Sequence, residues 1–298
     1  MSLPLVRILI DRIVGALVVL CVMLAAIPVL VLFLFVIIKG LPGMLTPRFF
    51  TQSPHPQGVP GGGVLNAIIG TLEIVGIGSL LAVPVGALIG VFLSEYGRNQ
   101  VGDTVRFISD VLTGLPSIAF GIFGYTVVVL TTHHFSAISA SIALAVLMLP
   151  VILRATETAL LLVPQALREA GLALGAPRWR VTLEIVVPAA LGGIVTGALL
   201  AMARAAGETA PLLFTALGSR LLTLNPNQPF PSLTVQIFTW ATGPYEAQHR
   251  LAYAGILVLI AILFLLNLAI RFTAARSIGP ASGPTWIHAS RLAPFTDQ

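Results

Sequence analysis

The sequence predicts an all-α membrane protein with six transmembrane helices. Three observations predict it. Hydrophobic residues fill 57% of the 298 positions and charged residues only 9%, whereas an ordinary soluble domain is about 25% charged. The apolar residues gather in runs long enough to cross about 30 Å of hydrocarbon as helices. Segments rich in Arg, Pro or Gly separate the runs. So few charges could not solvate a globular surface, which excludes a soluble globular domain, a disordered chain and an exposed nucleic-acid binder. The net charge of +5 then reports which connections face the cytoplasm.

The first run, 13–38, has 26 residues and no charge. It is longer than the core of a secretory signal and reads as an uncleaved span. The second, 64–93, is broken only by Glu73 and carries Pro84. The third, 107–130, has Asp110 in its first turn, where a carboxylate complements a helix N-terminus, and Gly114-Leu115-Pro116 inside it. The fourth, 137–153, is short. From Ile185 the apolar residues continue to Leu224, too far for one simple span, and Arg204, Gly207, Glu208 and Pro211 interrupt them. That stretch fits either a span over 185–210 followed by a partly inserted segment, or one long kinked helix. The last span is 251–270.

Six spans put both termini on one side. If that side is the cytoplasm, inside segments carry eleven of the 16 basic residues and outside segments five, so both termini are expected in the cytoplasm. Residues 1–272 make a single transmembrane domain. Residues 273–298, rich in Gly, Ser and Pro, make a loose cytoplasmic tail. Residues 40–63 and 225–250, dense in Pro and Gly, read as irregular outer loops.

The chain lacks the residues for most chemistry. Lys39 is the only lysine, and no G-x-x-x-x-G-K-[ST] loop can be built around it. No H-E-x-x-H or Cys/His spacing for a metal occurs, and His133-His134 reads as a solvated loop pair. A G-x-S-x-G elbow is absent. Cys21, the single cysteine, lies in an apolar run and has no internal partner. No cofactor is expected in this chain.

The longest inside connection, 154–184, has its own pattern. Pro164 suits a helix start and Gly175 the residue just past a helix end. Between them Leu167, Ala170, Gly171 and Leu174 repeat at helical spacing on one narrow face. Ala176-Pro177 starts a second short helix that is expected to stop or bend near Pro188. On composition alone, this could be a surface-lying amphipathic element.

Glu169-Ala170-Gly171, three residues, Gly175, nine residues, then Ile185-Val186-Val187-Pro188 resembles the EAA loop of ABC importer permeases, E-A-A-x3-G-x9-I-x-L-P. Gly171 stands for the third Ala and Val187 for the Leu. Arg204-Ala-Ala-Gly-Glu208-Thr-Ala-Pro211 resembles the R-x-x-G-E-T-A-P segment of phosphate-importer permeases of the PstA type. Residues 62–71 resemble the start of their second span, and 232–241 their last outer loop. These matches cover about residues 60 to 270.

The resemblance implies a MetI-like permease architecture in the bacterial cytoplasmic (inner) membrane. It implies that Glu169, Ala170, Gly171 and Gly175 seat in a separate ATPase. It also implies a non-enzymatic subunit with four kinds of partner: a second permease (PstC type), two copies of an ATPase (PstB type) that bind the ATP and Mg, a phosphate-binding protein outside (PstS type), and membrane lipid. No nucleic acid is expected.

Arg204 and Glu208 are at i, i+4 and would share one face of a helix. Charges cost about 2.5–3.5 kcal/mol each at the bilayer centre. The pair fits three arrangements: a salt bridge locking two helices, two groups at the outer interface, or a pathway for an oxyanion. Guanidinium offers phosphate a fork of donors. A carboxylate accepts a hydrogen bond from a protonated phosphate oxygen and repels sulfate, which carries no proton. Glu73, roughly 14 Å into the second span at helical rise, is a third pathway candidate. A rival reading is an ion-coupled secondary transporter or channel for an anion, with Glu73, Asp110 and Glu208 as a proton relay.

Overall fold

The computed structural model describes residues 3–56, 59, 61–223 and 225–277. Of the expected tail, residues 278–298 lie outside these. Helices follow one another along the chain: α1 (Leu3–Met44), α2 (Pro47–Thr51), α3 (Leu65–Glu95), α4 (Gln100–Gly114), α5 (Ser117–Gly124), a π-helical turn Tyr125–Val129 leading into α6 (Leu130–Thr132), α7 (Ala137–Leu161), α8 (Gln165–Ala173), α9 (Arg178–Val181), a second π-helical turn Thr182–Val186, α10 (Val187–Ala206), α11 (Ala210–Thr215), α12 (Leu233–Ala241) and α13 (Glu246–Ser277). Among the described residues the β structure amounts to two isolated bridges. Five helical stretches are long and apolar enough to cross a membrane, and the bent pair Gln100–Gly114 and Ser117–Thr132 is the sixth candidate. The all-α expectation therefore holds among the described residues, with five candidate spans, or six where the bent pair counts as one.

Several bounds differ from those expected. The third span is not continuous: the chain turns by 104° between α4 and the helix that starts at Ser117. Pro116 explains the stop, because it disfavours helical backbone at Leu115, which is extended here (φ −72°, ψ 140°). Asp110 consequently lies late in α4 and not in the first turn of a span. Asn99 takes the capping role instead, its side chain accepting from the Gly102 N–H at 2.9 Å. Residues 225–250 are not an irregular loop, since they contain α12 and the start of α13. Likewise α1 continues to Met44, α7 to Leu161 and α13 to Ser277. The helix also runs through Pro188. In the π turn just before it, the Val187 N–H reaches back five residues to the Thr182 carbonyl, and this wider winding absorbs the missing donor of proline.

The chain forms two compact units. The first comprises 1–74, 121–140 and 207–262. Its core is Phe49, Val64, Ala67, Leu233, Ile237, Trp240, Ala252, Ala254 and Val258. Gly40 lets α1 lie directly on α13: a Cβ there would stand 2.5 Å from the Tyr253 carbonyl oxygen. Ser136 and Ser139 cap the start of α7 reciprocally, each hydroxyl accepting the other residue's N–H at 3.1 Å.

The second unit comprises, of the described residues, 75–120, 141–206 and 263–277. Its helices meet along small residues, the usual means of close approach in membranes. Gly78, Gly86 and Gly90 of α3 face Ser141, Ile152 and Thr156 of α7. Gly193 and Gly197 of α10 face Ala159 and Ala155 of α7. A second apolar cluster, Leu160, Val163, Val181, Val186, Ala190 and Ile194, lies beneath α8 and α9.

Candidate functional site

The first site is the interruption between α10 and α11. Helix α10 ends at Ala206, and Gly207, Glu208 and Thr209 are not helical. Arg204 is thus in the last turn of α10 and exposed, whereas Glu208 is half-buried in the break. The expected i, i+4 relationship on one helix face is not formed. The reason is local: Pro211 has no N–H to return to the Gly207 carbonyl, and glycine at 207 adds little helix propensity. The stretch after Ile185 is therefore a candidate span ending at Ala206, a break and the short helix α11, and not one long kinked helix.

The break is tied to α12 within the first unit. The Thr234 hydroxyl donates to the Glu208 carbonyl at 2.8 Å. From the other side, the Thr71 hydroxyl of α3 accepts the Leu233 N–H at 2.8 Å. Gly70 lies against the Pro231 carbonyl, and the Asn66 side-chain amide donates to the Ser219 carbonyl at 3.0 Å. The first turn of α12 is thus held between α3 and the broken helix. Thr71 faces α12, so Glu73, about 200° further round α3, faces away from that junction. Glu73 is half-buried. Thr71 and Thr234 lie in the segments 62–71 and 232–241 that carry the resemblance, but the sequence gives neither a role, because a lone threonine in an apolar run has many uses.

The second site is α8–α9, in the second unit. Helix α8 begins after Pro164 and closes at Gly175, whose φ of +81° is the left-handed conformation that glycine adopts without cost. The expected narrow face divides. Gly171 is buried against Val181 and Ile185, whereas Leu167, Ala170 and Leu174 are exposed, Leu174 to 89%. Glycine in place of alanine at 171 brings α8 close to the end of α9 and the π turn after it: a Cβ there would stand 3.0 Å from Val181 Cγ2 and 2.8 Å from Ile185 Cδ1. Glu169 is exposed as well. Leucines and a carboxylate left facing outward suit a surface that another protein covers.

A set of arginines, read from the sequence only as setting the chain's orientation, fixes this element. Arg168 Nη2 is 2.9 Å from Glu95 Oε1, with the two side chains only 14% and 7% exposed. The same guanidinium donates to the Leu160 and Val163 carbonyls at the end of α7, at 2.8 and 2.6 Å. Arg178 donates to the Glu95 carbonyl at 2.8 Å and stacks over Tyr96 at 5.2 Å. Arg106 of α4 donates to the Leu93 and Gly97 carbonyls, each at 2.9 Å, and pairs with the buried Glu157 of α7 at 2.7 Å. Arg154 joins Glu157 at 3.0 Å and Asp110 at 2.5 Å. Guanidinium groups thus occupy the carbonyl-rich ends of α3 and α7, where cations are favoured. A cleft of about 520 Å³ beside α8 is lined by Glu95, Arg98, Leu162, Arg168 and Arg178 among others. Arginine counts could have pointed here only through their acidic partners Glu95 and Glu157, and the sequence does not show which acid meets which base.

The fold is that of a membrane-embedded permease. Residues 82–278 match the family described as "Binding-protein-dependent transport system inner membrane component". The chain is 43% identical over 236 residues to the phosphate transport system permease protein PstA of Haemophilus influenzae, covering 79% of this chain and 83% of that one. It is 42% identical to PstA of Yersinia pestis, over 80% of this chain and 81% of that one. A chain of the inward-facing MetNI methionine ABC transporter superposes with a TM-score of 0.59 at 19% identity, over 72% of this chain and 97% of that one; at that identity the likeness concerns the fold. The chain therefore belongs to the binding-protein-dependent transport system inner membrane component family, as a multi-pass membrane protein. Both the MetI-like architecture and the resemblance to PstA-type permeases hold.

Proposed function

We propose that this chain is a permease subunit of an ATP-driven inorganic phosphate importer in the bacterial inner membrane, with both termini in the cytoplasm. The observation that carries the reading is the sustained identity to PstA proteins, 43% over most of both chains, on a chain whose α8 presents Glu169, Leu167 and Leu174 outward. In this reading a second permease of the PstC type completes the pathway. Two ATPase copies of the PstB type bind the ATP and Mg and seat Glu169, Ala170 and Gly175, while Gly171, expected to join them, packs inward against Val181 and Ile185, and a PstS-type protein delivers phosphate from outside. This chain performs no catalysis. Its part is to present a path and to convert motion of α8 into opening and closing of that path.

Arg204 at the end of α10 supplies a transient attraction for the anion. Glu208 accepts a hydrogen bond from a protonated phosphate oxygen and repels sulfate. Placing Glu208 in a helix break suits this role, since transporters build substrate sites at discontinuous helices. Glu73 is proposed as a third pathway carboxylate, acting from the far side of α3.

The test is reconstitution. The chain co-expressed with an ATPase, a second permease and a binding protein from the same source is purified and placed in vesicles. ATP-dependent uptake of labelled phosphate, with sulfate excluded, is the expected result. Uptake driven by an ion gradient without any ATPase would favour the secondary-transporter reading instead.

A further inference from the structure

Glu95 is the last residue of α3 and is held at two points by the segment that α8 and α9 form. Its carboxylate receives both Nε and Nη2 of Arg168, at 3.2 and 2.9 Å, and the Ser94 hydroxyl at 3.3 Å. Its backbone carbonyl receives Nη2 of Arg178 at 2.8 Å. Arg168 is one residue before Glu169, and Arg178 opens α9. A buried ion pair of this kind is weak evidence of stability, because desolvation offsets much of the attraction. Apolar residues of similar volume would serve packing as well. What the pair adds is a directional tie between two elements.

We propose that Glu95 is a positioning residue that locks the end of α3 to the α8–α9 segment, so that a displacement of α8 moves α3 with it. Within the second unit α3 runs from Val75 to Glu95 and packs on α7 through Gly86 and Gly90, so a push at Glu95 is felt at the α3–α7 contact. The tie is also selective. Arg168 fastens the end of α7 through carbonyls alone, whereas α3 is held by a charge pair and a carbonyl bond together. The inference rests on the permease reading above and names the residue through which its coupling would pass.

Two measurements test it in the assembled transporter. The first is phosphate uptake per ATP hydrolysed. Glu95→Gln is expected to lower that ratio at least fivefold while ATPase activity and complex yield persist, and the exchange Glu95→Arg with Arg168→Glu is expected to recover part of it. An unchanged ratio, or ATPase and uptake falling in parallel, overturns the proposal. If Glu95→Gln does not assemble, Arg178→Gln at an exposed position carries the same expectation. The second measurement does not depend on the transported ion. With Cys21→Ser, spin labels at Leu88 of α3 and Leu172 of α8 should keep one separation through the nucleotide cycle in the parent chain and vary in Glu95→Gln. Labels that separate equally in both overturn it. A parent complex that hydrolyses ATP and moves no phosphate would defeat the functional reading and leave the second measurement interpretable.

Discussion

The hydroxyl of Thr234 donates to the backbone carbonyl of Glu208 across 2.8 Å. This bond joins the first turn of α12 to the residue left outside helical pairing by the break between α10 and α11. A carbonyl released from a helix in an apolar setting must find another donor, and Thr234 supplies it.

Thr234→Val keeps the shape and removes that donor. Hydrogen bonds between membrane helices contribute about 0.6 kcal/mol on average and up to about 1.7, so a loss of about 1 kcal/mol is expected. Thermal unfolding of the purified complex measures it, and Thr234→Ser should recover the parent value. Equal unfolding for valine and the parent would show that the break holds without this bond.

Arg204→Gln and Glu208→Gln are each expected to lower phosphate uptake about tenfold or more with assembly retained, the order of one lost charge-assisted contact at about 1.4 kcal/mol. Glu208→Gln should also admit more sulfate, because the neutral amide no longer repels it. Glu73→Gln is expected to have the smaller effect, since its helix face is turned from α12. Parent rates of uptake in both Arg204 and Glu208 variants would remove them from the pathway.

Gly90 and Gly76 give opposite expectations on one helix. A Cβ at Gly90 would stand 2.6 Å from Thr156 Cβ and 2.8 Å from the Leu153 carbonyl, whereas nothing lies within 4 Å of one at Gly76. Gly90→Leu forces α3 from α7 and should cost about 1–3 kcal/mol, as overpacking does. Gly76→Ala should be neutral or stabilise by up to about 1 kcal/mol through helix propensity. Melting curves of the two variants settle the contrast.

Gly175→Ala meets no atom within 4 Å, so its effect isolates the φ of +81°. The left-handed conformation costs an alanine about 1–2 kcal/mol, enough to loosen the end of α8. Reduced ATPase retention on co-purification is expected, and Gly175→Asn should be milder because asparagine tolerates this region better. Glu169→Lys, on an exposed side chain, should weaken the same association while leaving the fold of the chain intact. Full ATPase recovery with both Gly175→Ala and Glu169→Lys would place the docking surface elsewhere.

The sequence by itself determined the class. Long uncharged runs can exist only as helices in lipid, because every backbone group must be paired internally, so the spans followed from composition and length. Pro164, Gly175 and the spacing back from Pro188 determined α8 in the same way, since proline and glycine act through their own backbone. Tertiary structure decided what depends on partners distant in the chain. That Arg168 meets Glu95, that Arg106 meets Glu157, that Thr71 holds the start of α12 and that Thr234 holds the Glu208 carbonyl are pairings over separations of 26 to 162 residues, and periodicity carries no record of which pairs form. The break after Ala206 joins the two: Gly207 and Pro211 interrupt the helix through their own backbone, as the sequence shows, and the donor that satisfies the freed Glu208 carbonyl, Thr234 of α12, is known only from the tertiary structure.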